Sequence, residues 1–558
     1  MAAALSSTYS RHLGLAEKAC AFLTASTDPF HAVKCCIIKL EASGFTKLPN
    51  ASLASSHLRA GGKYYYTVEH STLVAFTVGE KYVPGESGFL IIGGHTDSPN
   101  LRVKPRSKKP DNRKTGCVQL GVQCYGGGLW HTWFDRDLSI SGKVLVRSSD
   151  TSTATCTATS TATSTAASTA TSTATSTATS TATSTTKIKS RLVNLKDPIA
   201  RVSTLCIHLQ SAGERDAFKV NKEDHTSPVI ATTPALGVPN KDLEKAAAEQ
   251  INGDAWREGQ EPALLQAIAD NLGVPVTDIA DFDLSLYDTQ PATVGGLHKE
   301  FLYSARLDNL ATVFTAVTAM QEHSVDLSDS HDVSVVVFFD HEEVGSASLN
   351  GAGSPVMEQA VRRISAALNA NGTDSPDLYA NAIAKSFCLS IDQAHAVHPN
   401  YASKHESQHA PLINGGVVIK TNANQRYATN SLTAFIVREL GKRAAVPIQE
   451  FCGTLEGKGQ SRGEKSALRL LSFPHTLSLS ALLRLFSSAV RNDCPCGSTI
   501  GPTISARTGI RTVDAGMPQL SMHSCREVMG TADLTHGLDL FKAFFKHFRE
   551  IDESIEKD

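Results

Sequence analysis

Three continuous apolar runs punctuate the chain: residues 89–94 (FLIIGG), 333–340 (VSVVVFFD) and 387–392 (FCLSID). They are short, and 333–340 is rich in β-branched side chains, so they predict strands buried on both faces. Residues 309–321 and 356–370 instead carry apolar side chains at helical spacing. Near the N-terminus Leu13, Leu15, Ala16, Ala19, Cys20, Phe22 and Leu23 follow the same period, which predicts an amphipathic helix rather than a cleaved leader. Strands alternating with helices predict an α/β fold, a three-layer α/β/α domain around a mostly parallel sheet.

Between about residues 105 and 290 the texture changes to short alternating segments with glycine turns such as Tyr125-Gly126-Gly127-Gly128. We therefore expect 1–104 and 291–558 to form one domain, interrupted by a smaller β-rich domain over 105–290. Two stretches fit neither. Residues 151–186 are almost wholly Thr, Ser and Ala, with nothing apolar to offset ordering entropy, so disorder is expected there. Residues 452–489 join a polar Gly/Lys/Arg segment to an apolar one and form an atypical insertion.

Composition narrows the function classes. A formal net charge of −2 and no basic run interleaved with aromatics argue against nucleic acid. No stretch of about 20 apolar residues is present to span a bilayer. Twelve cysteines in 558 residues do not form a disulfide framework, which fits reduced thiols and a cytoplasmic location.

The candidate chemistry lies at the ends of the three predicted strands, where α/β sheets bind ligands. His95-Thr96-Asp97 follows the first; a neutral imidazole is a good zinc ligand, and an aspartate two residues on can orient it. Glu342-Glu343 follows the second. Adjacent carboxylates at a buried strand end repel, and a cation resolves the conflict: one can ligate metal while the other takes a proton from water. Asp392 ends the third strand and precedes His395 and His398. Asp308 stands before a helical pattern, where it could cap the helix or bridge two ions. His523 precedes a predicted C-terminal helix. Together His95, Asp308, Glu343, Asp392 and His523 make a mixed nitrogen and oxygen set suited to paired Zn2+ or Mn2+.

With these residues in hand, the chain resembles the M18 metallopeptidase family, and within it the aspartyl aminopeptidases. The matching segments are GGHTDSPNLRVKP (93–105), LYSARLDNL (302–310), FDHEEVGS (339–346), IDQAHAVHPNY (391–401), KTNANQRYATN (420–430), VRNDCPCGSTIGP (490–502) and DAGMPQLSMHSCRE (514–527). The resemblance implies a catalytic domain interrupted by a dimerisation domain, and dimers assembled into a dodecamer. It implies two Zn2+ per subunit, with Mn2+ or Co2+ able to substitute at one site. Asp308 would bridge them, His95 and Asp392 completing one site and Glu343 and His523 the other. Glu342 would be the general base and Asp97 the residue orienting the metal site. Substrate contacts would come from Lys420, a counter-charge for an acidic first residue, with Tyr427, His395 and His208, the last lent to a neighbouring subunit's active site. The implied activity is removal of N-terminal Asp and Glu from peptides by metal-activated water.

The chain departs from the family at the two odd stretches. Residues 452–489 read as a retained intron or gene-model error, the alternative being a real insertion that loops out. Two rival functions stay open: a binuclear metallo-exopeptidase of other specificity, and an inactive assembly or binding protein disabled by the insertion.

Overall fold

A computed structural model describes residues 2–49, 58–109, 115–149, 186–232, 253–369, 372, 377–405, 409–453 and 497–556. The expected disordered tract, except its last residue Thr186, and the insertion beyond Gly453 lie outside these.

The three apolar runs form neighbouring parallel strands, Val333–Phe339, Phe89–His95 and Phe387–Ile391, at the centre of a nine-stranded sheet. Arg511–Gly516 adds a fourth parallel strand beside Phe387–Ile391. The alternation of side chains explains why helices cover both faces. Leu90, Ile92, Val336 and Phe338 pack on one side, while Phe89, Ile91, Val333, Val335, Val337 and Phe339 pack on the other. The first face buries the helices Ala2–Ala25, Pro29–Glu41, Leu307–His323, Ser431–Ala444 and Thr531–Glu553; the second buries Val356–Leu368 and Ile500–Thr508. This is the three-layer α/β/α arrangement, its sheet mixed but mostly parallel.

The C-terminal helix Thr531–Glu553 shows how the outer layer is held. Leu534, Leu538, Phe541, Phe544, Phe545, Phe548 and Ile551 recur every three or four residues and are buried. Phe548 is fully buried, its ring centroid 5.0 Å from Phe387 in the sheet and 5.5 Å from Phe544.

Residues Asn100–Lys108 begin a second, six-stranded sheet ending with Ile279–Asp288 in chain order. It starts a few residues before position 105 and is antiparallel throughout. Its own apolar core includes Leu101, Trp130, Trp133, Ile140 and Val144, packed with Leu264, Leu265 and Ile268 of the helix Pro262–Leu272. Only the short link after His95 separates this sheet from the main one, so both converge on the Asp97–Asn100 stretch. A small five-stranded sheet, including Phe301–Ser304 and Glu527–Gly530, closes the same region.

Truncating Phe548 to alanine should leave a cavity between helix and sheet. We expect Phe548→Ala to cost about 3–5 kcal/mol, read as a lower midpoint in denaturant unfolding with an unchanged slope.

Candidate metal centre

The parallel strands present their carboxyl ends on one edge. In the register of the sheet His95 lies opposite Phe339, whose strand leads to Asp340 and on to Glu342 and Glu343, while Asp392 follows Ile391. Five residues expected to bind metal meet here. His95 Nε2 lies 3.4 Å from Asp308 Oδ1 and 3.4 Å from Asp392 Oδ1. His523 Nε2 lies 3.6 Å from Asp308 Oδ2 and 3.3 Å from Glu343 Oε2. Thus the two oxygens of Asp308 face different histidines. Ligand atoms of His95, Asp308 and Glu343 all fall within 4.8 Å of one another.

Each imidazole is oriented through its other nitrogen. Nδ1 of His95 is 3.0 Å from the Asp97 carbonyl, and Nδ1 of His523 is 3.2 Å from the Gly127 carbonyl. Donation from Nδ1–H to these carbonyls leaves Nε2 of both rings facing the carboxylates. The Gly127 contact requires a close approach of the turn that leaves the second sheet. Its neighbour Gly126 has φ 76°, and a Cβ there would stand 3.2 Å from Cβ of Glu343.

Asp97 holds the Glu342–Glu343 side of the site. Its Oδ1 accepts the backbone N–H of Glu342 and its Oδ2 that of Glu343, each at 3.1 Å. Tyr125 donates its hydroxyl to Oδ2 at 2.6 Å. Glu342 extends to within 3.9 Å of His95 Nε2.

Asp308 does not act as a helix cap. Arg306 occupies the cap position in a left-handed conformation, and Asp308 and Asn309 are non-helical although they fall within the helix Leu307–His323. Ser98 Oγ donates to the Asp308 carbonyl at 2.5 Å, and Asn309 Nδ2 donates to the Ile391 carbonyl at 2.7 Å. These bonds free the Asp308 carboxylate to point into the site.

Two observations fit these residues to a bound cation. Asp308 Oδ1 and Glu343 Oε1 are buried without a hydrogen-bond partner, and such atoms are costly unless something positive meets them. The acids also crowd one another. Burial, followed by the charges of Asp392, Asp97 and Asp308, pushes Glu342 up to about 8 against the pull of His95. Burial, Asp308 and Glu342 likewise push Glu343 well above the usual carboxylate range. Burial would lower the histidines, yet the surrounding carboxylates outweigh it, raising His95 and bringing His523 up to about 10. His523 is the open side of the site, its side chain 31% accessible against 2% for His95.

The residues expected to contact substrate divide. Lys420 is buried with its ammonium 3.3 Å from Asp392 Oδ2 and 5.7 Å from the Tyr427 ring centroid. Tyr427 and His395 both pack against Phe451. Burial first, then Lys420 and His523, lower His395 to about 4, so it is neutral. His208 sits elsewhere, on the exposed turn Ile207–Leu209; among the described residues, none of the hydrogen bonds or ion pairs holding the site involves it.

Sequence reasoning missed several contributors. Tyr125 and Ser98 act through single hydroxyls, and Gly127 through its carbonyl. Glu527 is fully enclosed and accepts two backbone amides, those of Asp308 and His523. Burial and the Asp308 charge bring its carboxyl up to about 8. Backbone acceptors leave no trace in residue type, whereas Glu527 closes a segment that already stood out.

The family described as "Aminopeptidase I zinc metalloprotease (M18)" matches residues 22–162, 177–462 and 475–545. The chain belongs to the M18 peptidase family. The two breaks in the match fall inside the Thr/Ser/Ala tract and inside the 452–489 segment. A probable aspartyl aminopeptidase of Ricinus communis is 40% identical over 557 residues, covering 96% of each chain. The aspartyl aminopeptidase of Aspergillus oryzae is 39% identical, again over 96% of each. Among solved structures, the cryo-EM structure of the Ape4 and Nbr1 complex matches with a TM-score of 0.80 at 35% identity, covering 99% of this chain and 89% of that one. The S. cerevisiae mApe1 dodecamer matches with a TM-score of 0.72 at 27% identity, covering 97% and 99%. This M18 chain is therefore an aspartyl aminopeptidase-like hydrolase of a zinc metalloprotease family.

A zinc ion bound among His523, His95 and the glutamates would compete with protons there, because their pKa values lie above ordinary ones. The sign follows: affinity rises with pH. Chelator competition at pH 6, 7 and 8 should show zinc binding tightening roughly tenfold per pH unit for each proton displaced; a flat profile contradicts the arrangement.

Proposed function

We propose that this chain is a binuclear zinc aminopeptidase that removes N-terminal Asp and Glu from peptides. The observation that carries the reading is the Asp308 carboxylate, one oxygen directed at His95 and the other at His523. In this reading Asp308 would be shared between two ions, His95 and Asp392 would hold the first, and Glu343 and His523 the second. Mn2+ or Co2+ can replace zinc at one of them. Bound there, the ions supply Lewis acidity and a water of lowered pKa. Glu342 would be the general base, taking a proton from the attacking water onto its carboxylate and returning it to the leaving amine. Asp97 keeps the base in place through the amides of Glu342 and Glu343.

Lys420 is the counter-charge for an acidic first side chain, flanked by Tyr427 and neutral His395. The names of the relatives support this specificity. One observation favours the rival reading of another specificity: Lys420 already shares its charge with Asp392. For assembly, we place residues 105–290 as a dimerisation domain, 1–104 and 291–558 as the catalytic domain, and dimers in a dodecamer in which His208 reaches a neighbour's site. The mApe1 dodecamer supports that assembly. A cytoplasmic location is supported by free thiols such as Cys20, Cys35 and Cys206. Among the described residues no helix is long and apolar enough to cross a membrane.

Glu342→Gln should keep its zinc and lose about 10²- to 10⁴-fold in turnover; near-wild-type turnover removes Glu342 as the base. Across a panel of aminoacyl amides, Asp and Glu substrates should be preferred over Leu. Lys420→Met should then lose about 2 kcal/mol or more, roughly 30-fold in kcat/KM, on the acidic substrates alone. The panel is run with and without residues 452–489. Preference for Leu selects the rival specificity, and inactivity of both chains with added Zn2+ selects the inactive-protein reading.

A further inference from the structure

Glu527 has no ligand role in the reading above, yet it is joined to two of the residues that do. It opens the strand Glu527–Gly530 and pairs in register with Ser304, four residues before Asp308. That register brings one side chain beside two separate segments of the site. Its Oε2 accepts the backbone N–H of Asp308 at 3.0 Å and its Oε1 that of His523 at 2.7 Å. The carboxylate is 2% exposed, so water does not compete for either bond.

The segments it joins are ones that need holding. His523 has φ 65° and Ser521 φ 58°, both left-handed without being glycine, and Arg306 has φ 59° just before Asp308. Non-glycine residues keep such conformations only where surrounding bonds over-determine them. A single planar carboxylate fixes the two amides relative to each other, and with them the 3.6 Å between His523 Nε2 and Asp308 Oδ2. Asp97 does the same for Glu342 and Glu343 on the opposite side.

We propose that Glu527 is a positioning residue that sets the geometry of the His523 and Glu343 metal site relative to the bridging Asp308. The inference rests on the binuclear reading. Loss of Glu527 acts unequally on the two sites. Asp308 keeps the bonds of Ser98 to its carbonyl and of neighbouring Asn309 to Ile391. Among the described residues, the His523 backbone retains the bond from Leu129 N–H to its carbonyl.

The test uses the full chain loaded with zinc and titrated with a chelator, zinc per subunit being counted at each step. Glu527→Gln keeps the volume but turns an amide N–H₂ toward a backbone N–H, so a space-filling role predicts no change. The expected result is two zinc ions in the wild type, and one of them bound about 10- to 100-fold more weakly in Glu527→Gln, with an unchanged metal-free melting temperature. Two zinc ions held equally tightly in both proteins overturn the positioning role and leave the binuclear reading standing. A wild type that binds one zinc overturns that reading and this inference with it. Should Glu527→Gln fail to fold, Glu527→Asp keeps the charge, withdraws the oxygens by one methylene and is read in the same way.

Discussion

The site depends on one electrostatic conflict. Asp97, Asp308, Glu342, Glu343, Asp392 and Glu527 are gathered at one sheet edge, faced by His95, His523 and Lys420. Acidic groups outnumber basic ones in a place largely closed to water, where repulsion between ionised acids is weakly screened. A sheet edge carrying this set gains little from packing and pays desolvation for every carboxylate. Bound cations convert the conflict into binding energy, which is why the cluster is sensible in a zinc metalloprotease and hard to explain in a purely structural role.

The rest of the fold supplies the hydrogen-bond donors that keep the acids apart. Asp97 and Glu527 each spread their charge over two backbone amides, so neither needs a metal to be satisfied. Asp308 Oδ1 and Glu343 Oε1 are buried and accept no hydrogen bond. That division separates the acids satisfied by backbone amides from those left facing the histidines. The central sheet makes it possible because its parallel strands end together, and the start of the helix Leu307–His323 brings Asp308 to the same edge.

Much of this was legible in the sequence, and the reasons are particular. The runs at 89–94, 333–340 and 387–392 are apolar at nearly every position before their ends because both faces of the central strands are covered, so strands and strand ends were readable together. His95, Glu342, Glu343 and Asp392 followed from those ends. Asp308 was ambiguous because an acid before a helix is equally a cap, and the geometry that frees it begins with Arg306 in a left-handed conformation. Tyr125, Ser98 and Glu527 were not readable as site residues because their partners are backbone groups or lie far off in the chain. Lys420 entered through the family resemblance, and its pairing with Asp392 reaches across the intervening strand Arg511–Gly516, which no local pattern encodes.

The turn at Gly126 and Gly127 reaches further than its size suggests. It belongs to the second sheet, yet its carbonyl orients the imidazole of His523, and Tyr125 beside it ties down Asp97. The excursion between the two halves of the main sheet is therefore no detachable appendage. Splicing it out, however neatly the central strands rejoined, would free one histidine to rotate and leave one aspartate short of a donor. The main sheet carries the ligands, but the neighbouring sheet decides which way they face.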